Sequence, residues 1–211
     1  TLKGGQGEDA IYGNAGDDVI YGGYGGDSLD GGDGVDFLAV TSMDVDYVLV
    51  DTQITGNGSD SLHSVETARL SGGPSNNLID ASGFTLGAVT LSGGSGVDTL
   101  LGGNGNDRLD GGNGNDELSG GDGNDYLGGG GGPDTVAGGE GEDLIYGQGG
   151  DDYLKGGPGD DYIDAGSGND TINGGDDNDT IKGGTGNDGL SGADGKDWLY
   201  GSSGNDTLIG R

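Results

Sequence analysis

An aspartate stands at every ninth residue over two long stretches of this chain. The first stretch carries Asp9, Asp18, Asp27 and Asp36. The second carries Asp98, Asp107, Asp116, Asp125, Asp134, Asp143, Asp152, Asp161, Asp170, Asp179, Asp188, Asp197 and Asp206. Glycines fill the residues before each aspartate, as in GGNGNDRLD, GGNGNDELS and GGDGNDYLG over residues 102–128. Carboxylates and turned-in backbone carbonyls are both hard oxygen donors. A cation that takes six to eight oxygens at about 2.3–2.6 Å, as calcium does, suits that set better than magnesium, which holds its waters in a stricter octahedron. With no cysteine and one histidine, the chain has no soft-metal site to offer.

The elements that must position these donors follow from the rest of the nine-residue unit. Four contiguous units run from Gly4 to Ala39 and thirteen from Gly93 to Ile209. The sixth position is aspartate in every unit, and the eighth is always aliphatic, from Ile11 to Leu208. Position 1 departs from glycine only at Ala165 and position 4 only at Asp177, while position 2 admits Asn14, Gln148, Ala193 and Ser202. Gly103, Gly105, Gly112, Gly114, Gly121 and Gly123 are the second and fourth positions of three successive units, where a tight loop calls for positive φ. The last three residues of a unit alternate outward, inward, outward, as a very short strand would. Pro74, Pro133 and Pro158 all fall at loop positions. One inward aliphatic per unit seals an interior only if coils stack. Stacking about 4.8 Å apart lines the aspartates into columns that repel unless a cation sits between them.

Composition points the same way. Of 211 residues only 28% are hydrophobic, 57 are glycine, and the net charge is −31. So little apolar surface does not offset the entropy of ordering so much glycine, which predicts an expanded chain that folds when the cation binds. Seven Lys plus Arg cannot build a phosphate-binding surface, so nucleic acid is excluded as a partner. No apolar run approaches the roughly 20 residues of a transmembrane segment. Thr1-Leu2-Lys3 reads as the tail of one repeat and Gly210-Arg211 as the start of another, so a segment of a longer protein is expected.

The unit GGxGxDxUx, with U a large aliphatic, resembles the RTX (repeats-in-toxin) hemolysin-type family, whose nonapeptide binds calcium. The resemblance covers residues 4–39 and 93–209. It implies an all-β fold, a right-handed parallel β-roll with two nonapeptides per coil and calcium between stacked loops. Loops 18 residues apart then become neighbours, and each ion is shared through carbonyls of positions 1 to 4 and the aspartates of position 6. Asp107 would share an ion with Asp125, and Asp116 with Asp134. Loop pairs of this kind number at most about thirteen, enough divalent charge to offset most of the −31.

The resemblance further implies a non-enzymatic module of a secreted bacterial protein, extracellular or on the cell surface. It would be exported unfolded by a type I apparatus, fold on calcium outside, and stabilise neighbouring domains of its parent, often a toxin. The alternative is a calcium-dependent polysaccharide-binding or adhesin module attached to an extracellular enzyme.

The chain divides into a short repeat block, residues 1–39, irregular β-rich connecting coils, residues 40–92, and a long repeat block, residues 93–211. In the connecting segment, Asp46–Val50 reads as a strand, Asn57-Gly58 as a turn, and Gly72–Asp80 as a worn repeat with Asn77 at the aspartate position and a weak or absent site. Ala81–Ser92 adds one longer step in which Phe84, Leu86, Val89 and Leu91 alternate as a wider coil would, so the segment is expected to continue or cap the stack. His63, among Ser59, Asp60, Ser61 and Ser64, lacks the pocket and positioned base that a serine triad needs.

One outward face is the more aromatic. Its seventh positions read Arg108, Tyr126, Leu144, Tyr162, Thr180 and Trp198, with Tyr146 and Tyr200 at the ninth. Tyr126, Tyr146, Tyr162, Trp198 and Tyr200 therefore form either a cross-strand stabilising ladder or a candidate ligand face for a saccharide or a neighbouring domain.

Overall fold

The computed structural model describes residues 1–41, 45–56 and 58–210. Asn57, half of the expected turn, lies outside the described residues. Among those described there is no helix, so none long and apolar enough to cross a membrane. The chain forms a parallel β-solenoid of about eleven turns built from two sheets.

In spatial order, the first sheet holds β1 (Leu2–Gln6), β3 (Val19–Tyr24), β5 (Phe37–Val40), β9 (Thr67–Ser71), β11 (Val89–Ser95), β13 (Arg108–Asn113), β15 (Tyr126–Gly131), β17 (Leu144–Gly149), β19 (Tyr162–Ser167), β21 (Thr180–Thr185) and β23 (Trp198–Ser203). The second holds β2 (Ala10–Tyr12), β4 (Ser28–Asp30), β8 (Ser59–His63), β7 (Gln53–Thr55), β6 (Tyr47–Val50), β10 (Leu78–Gly83), β12 (Thr99–Asn104), β14 (Glu117–Asp122), β16 (Thr135–Glu140), β18 (Tyr153–Pro158), β20 (Thr171–Asp176), β22 (Gly189–Asp194) and β24 (Thr207–Ile209).

Successive nonapeptides alternate between the sheets, so each strand pairs with the one 18 residues away: Leu109 with Leu127, and Leu118 with Val136. The strands are longer than the three residues expected. From β12 to β23 each has six, because pairing continues through positions 1 to 3 of the next unit. The reason is a hydrogen bond that crosses between coils at the end of the strand. The fourth-position N–H of Gly105 donates to the third-position carbonyl of Asp122 at 2.8 Å. Pro158 therefore ends a strand rather than sitting in a loop, and its carbonyl still accepts from Gly141 at 2.9 Å.

The interior is one layer of eighth-position aliphatics, facing each other from the two sheets. These side chains are buried from Ile11 through Leu190. Leu208, on the edge strand β24, is 45% exposed.

The connecting segment continues the stack. Leu38 pairs with Ala68, and Ala68 in turn with Val89, so the first sheet runs through it without a gap. In the second sheet β7 runs antiparallel between β6 and β8, a three-stranded meander inserted into an otherwise parallel ladder. Its core is wider, with Tyr47, Leu49, Phe84, Val89 and Leu91 buried. Leu86 departs from the expected alternation and is 49% exposed, because it falls in the bend between β10 and β11.

Candidate metal centre

The loops between the sheets place the sixth-position aspartates in two columns. In each column the backbone N–H of one aspartate donates to Oδ1 of the aspartate 18 residues later. Asp98, Asp116, Asp134, Asp152, Asp170, Asp188 and Asp206 are linked in this way at 2.8–3.0 Å. Asp107, Asp125, Asp143, Asp161, Asp179 and Asp197 are linked at 2.7–3.1 Å. In the short block Asp9 donates to Asp27 and Asp18 to Asp36, at 2.9 and 2.8 Å. The predicted pairs Asp107 with Asp125 and Asp116 with Asp134 are thus brought together.

The second carboxylate oxygen is different. Oδ2 of Asp107, Asp116, Asp125, Asp134, Asp143, Asp152, Asp161, Asp170, Asp179 and Asp188 is buried without a hydrogen-bond partner, as is Oδ2 of Asp9, Asp27 and Asp36. A buried anionic oxygen left unmatched is costly, and native proteins seldom tolerate even one. The cost is visible in the proton affinities. Burial pushes the carboxyls of Asp107, Asp134 and Asp161 up to about 7, with like-charge neighbours in the column adding to it. Asp143, Asp170 and Asp179 rise to about 6 for the same reasons. A divalent cation in the gap between coils would satisfy all these oxygens at once.

Backbone oxygens line the same gaps. The carbonyls of Gly103 and Gly105 lie where a Cβ on Gly121 and Gly123 would be, and those of Gly94 and Gly96 stand in the same way against Gly112 and Gly114. A Cβ on Gly111 would sit 2.6 Å from Oδ2 of Asp116 and 2.5 Å from the Gly129 carbonyl of the next coil. Glycine is thus favoured at position 1 for close approach, where Ala165 is the one exception, and at positions 2 and 4 for positive φ as well. Where glycine is missing, the loop keeps its shape: Asn14, Gln148, Ala193, Ser202 and Asp177 hold φ between 67° and 77°. The stack imposes the left-handed conformation on residues that resist it.

Among the described residues no three acidic or histidine side chains gather at one point. A cation here would draw most of its oxygens from the backbone, which fits a large, flexible, oxygen-coordinated ion and not one bound by a side-chain cage.

Asn77 occupies the column as expected of a worn repeat. Its N–H donates to Oδ1 of Asp98 at 2.7 Å, and its own Oδ1 accepts from Gly73 at 2.8 Å. With its one free-standing anionic oxygen replaced by an amide, the position is neutral. His63 is exposed on β8, and its carbonyl accepts from Gly31 at 2.9 Å.

Two features were missed at the level of sequence. The fifth position builds a ladder running the opposite way, in which Asn205, Asn187 and Asn169 each donate their N–H to the side-chain oxygen of the residue 18 earlier. The Asn that recurs just before the aspartate in units such as those of Asn106, Asn124, Asn169, Asn187 and Asn205 was its signal. Asp60 and Glu66 enter the aspartate columns from outside the repeats, accepting from the backbone of Asp27 and Asp36 at 2.9 Å each. No nine-residue spacing points to them.

On the aromatic face, Tyr126 and Tyr146 meet as tilted rings with centroids 5.4 Å apart, and Tyr146 and Tyr162 at 6.1 Å. Arg108 covers Tyr126 at 4.0 Å and Lys182 covers Tyr162 at 4.8 Å. Trp198 and Tyr200 stand apart on β23, 65% and 46% exposed.

Comparison with known proteins gives one family. The model of the RTX calcium-binding nonapeptide repeat matches residues 3–38, 92–127, 128–163, 155–190 and 191–211. A search of curated proteins returns no match.

Proposed function

Because the chain belongs to the RTX calcium-binding nonapeptide repeat family, we propose that it is a calcium-folded β-roll that stabilises a larger secreted bacterial protein. Calcium would be held by the sixth-position aspartates, from Asp9 to Asp36 and from Asp98 to Asp206. Carbonyls of glycines such as Gly103, Gly105, Gly112, Gly114, Gly121 and Gly123 would complete each shell. The observation that carries the reading is the repeated buried Oδ2 without a hydrogen-bond partner. One such atom is a local defect; a column of them is a design for cations.

The ion supplies neutralising charge that the polypeptide lacks. Without it, −31 net charge and a single layer of aliphatics favour an expanded chain. With it, each filled gap stabilises the folded state by mass action, by about 2.7 kcal/mol when calcium stands at a hundred times the dissociation constant. Such a chain would pass through an export channel unfolded where calcium is scarce and fold outside, in the extracellular medium or on the cell surface, where calcium is plentiful. The neighbouring domains of its parent would be its partners. No catalytic group is assigned, and His63 has no role in this reading.

A polysaccharide-binding or adhesin role is the second reading, and it rests on Trp198 and Tyr200, which stand apart from the row of tyrosines and face solvent.

Circular dichroism and small-angle scattering of the chain in EDTA, then in millimolar calcium, test the first reading. A compaction with gain of β signal is expected. Identical spectra and radii would overturn it.

A further inference from the structure

The family match leaves the connecting segment uncovered between residues 38 and 92, yet that segment carries two acidic side chains into the aspartate columns. Pairing of Ser28 with Ser61 sets Asp60 beside Asp27, and pairing of Phe37 with Thr67 sets Glu66 beside Asp36. Asp27 donates its N–H to Oδ1 of Asp60, and Asp36 donates to Oε2 of Glu66, both at 2.9 Å. These bonds repeat the one by which Asp9 reaches Asp27, at 2.9 Å.

The oxygens around them are those of a repeat loop, assembled from different parts. Oδ2 of Asp27 and Oδ2 of Asp36 are buried without a hydrogen-bond partner, in residues 3% and 0% exposed. A Cβ on Gly22 would lie 2.6 Å from Oδ2 of Asp27 and 3.0 Å from Oδ2 of Asp60, so two carboxylates from adjacent coils approach one point. At Gly111 that second place is held by a carbonyl, that of Gly129. In the other column the carbonyl of Ser64 stands over Gly31, as the carbonyl of Gly31 stands over Gly13, although Ser64 reaches that place with a positive φ of 49°. Ser64 to Glu66 spans two residues where a repeat uses five, and the extra methylene of glutamate offsets the shorter loop. Beyond Glu66 the column meets Gly87, whose missing side chain ends it.

We infer that Asp60 and Glu66 complete two further calcium sites, one with Asp27 and one with Asp36, that tie the connecting segment to the short repeat block. The inference rests on the calcium reading of the repeats. The connecting segment would then be folded by the same ion as the blocks on either side of it.

The test uses the full chain and calcium alone, with bound ions counted by native mass spectrometry and hydrogen exchange followed over residues 53–71 and 144–185. Asp60→Asn and Glu66→Gln should each lose one bound ion and the calcium-induced protection over 53–71, while 144–185 stays protected. Glu8→Gln, which removes an exposed charge from the same block, should change neither. Unchanged ion counts and protection in both variants, with calcium still bound by the parent chain, would overturn the inference and leave the proposed function standing. Loss of protection over 144–185 as well would also overturn it, since the role would then be global. A parent chain that binds no calcium would sink both.

Discussion

The backbone N–H of Asp107 donates to Oδ1 of Asp125 at 2.7 Å, while Oδ2 of that same Asp125 carboxylate is buried against Gly120 with no hydrogen-bond partner. One oxygen holds two coils in register and the other has no hydrogen-bond partner in the polypeptide. The same division of labour recurs down both columns, so substitution at one aspartate should act oppositely on the metal-free and calcium-bound chains.

Asp125→Asn keeps the shape and the Oδ1 acceptor but removes the charge. In EDTA the variant should be at least as ordered as the parent, because a buried unmatched anion has gone. In saturating calcium it should lose about 1.5–3 kcal/mol, the contribution of a strong interaction to a charged group. Thermal melts in both conditions read this directly, and a variant less stable than the parent in EDTA would contradict it.

Acidity should order the metal-free chain. Asp107, Asp134 and Asp161 titrate at about 7 in the folded state because burial disfavours their charge, against about 3.9 for an unfolded aspartate. Between those limits the folded chain binds more protons than the unfolded one, so its stability falls as pH rises through the window. Dichroism in EDTA should show more β structure at pH 5 than at pH 8. Calcium competes with those protons, so its apparent affinity should rise over the same interval. A metal-free signal that does not change between the two values would count against the buried columns.

Loop glycines can be tested from both sides. Gly121→Ala forces a side chain into φ 116° and against the Gly103 carbonyl. Ala193→Gly relieves a residue held at φ 67°. The first should destabilise the calcium-bound roll and the second stabilise it by about 1–2 kcal/mol, the cost of a left-handed residue with a Cβ. Denaturant midpoints in saturating calcium would decide, and an Ala193→Gly variant weaker than the parent would refute the strain.

The two halves of the aromatic face should behave differently. Tyr146 contacts rings on both sides, so Tyr146→Ala should cost about 0.5–1.5 kcal/mol per ring pair lost. Trp198→Ala removes an exposed ring and should leave the melting temperature nearly unchanged. On the second reading, glycan binding in saturating calcium should respond to Trp198→Ala more than to Tyr162→Ala. Equal stability losses from Tyr146→Ala and Trp198→Ala would dissolve the distinction.

Much of the fold was legible because the repeat states its own geometry. The inward aliphatics from Ile11 to Leu190 are all buried. Each exception at positions 2 and 4, namely Asn14, Gln148, Asp177, Ala193 and Ser202, falls where the backbone holds a positive φ. Illegible were contacts that depend on reach across coils. The fifth-position ladder and the six-residue strands come from how one coil meets the next, not from residues adjacent in the chain.

The amino-acid sequence by itself determined the unit: a loop of glycines ending in an aspartate, then a short strand with one buried side chain. These are local demands of φ, of close approach and of alternation, and nine residues suffice to express them. Only the tertiary structure decided what the unit stacks on. A nine-residue period does not say how many units close a coil. The 18-residue register arises because a strand must cross to the opposite sheet before the chain can return beside its starting point. That closure also brings Asp60 beside Asp27 and Glu66 beside Asp36, where distance in space, and not spacing in sequence, sets which oxygens share a gap.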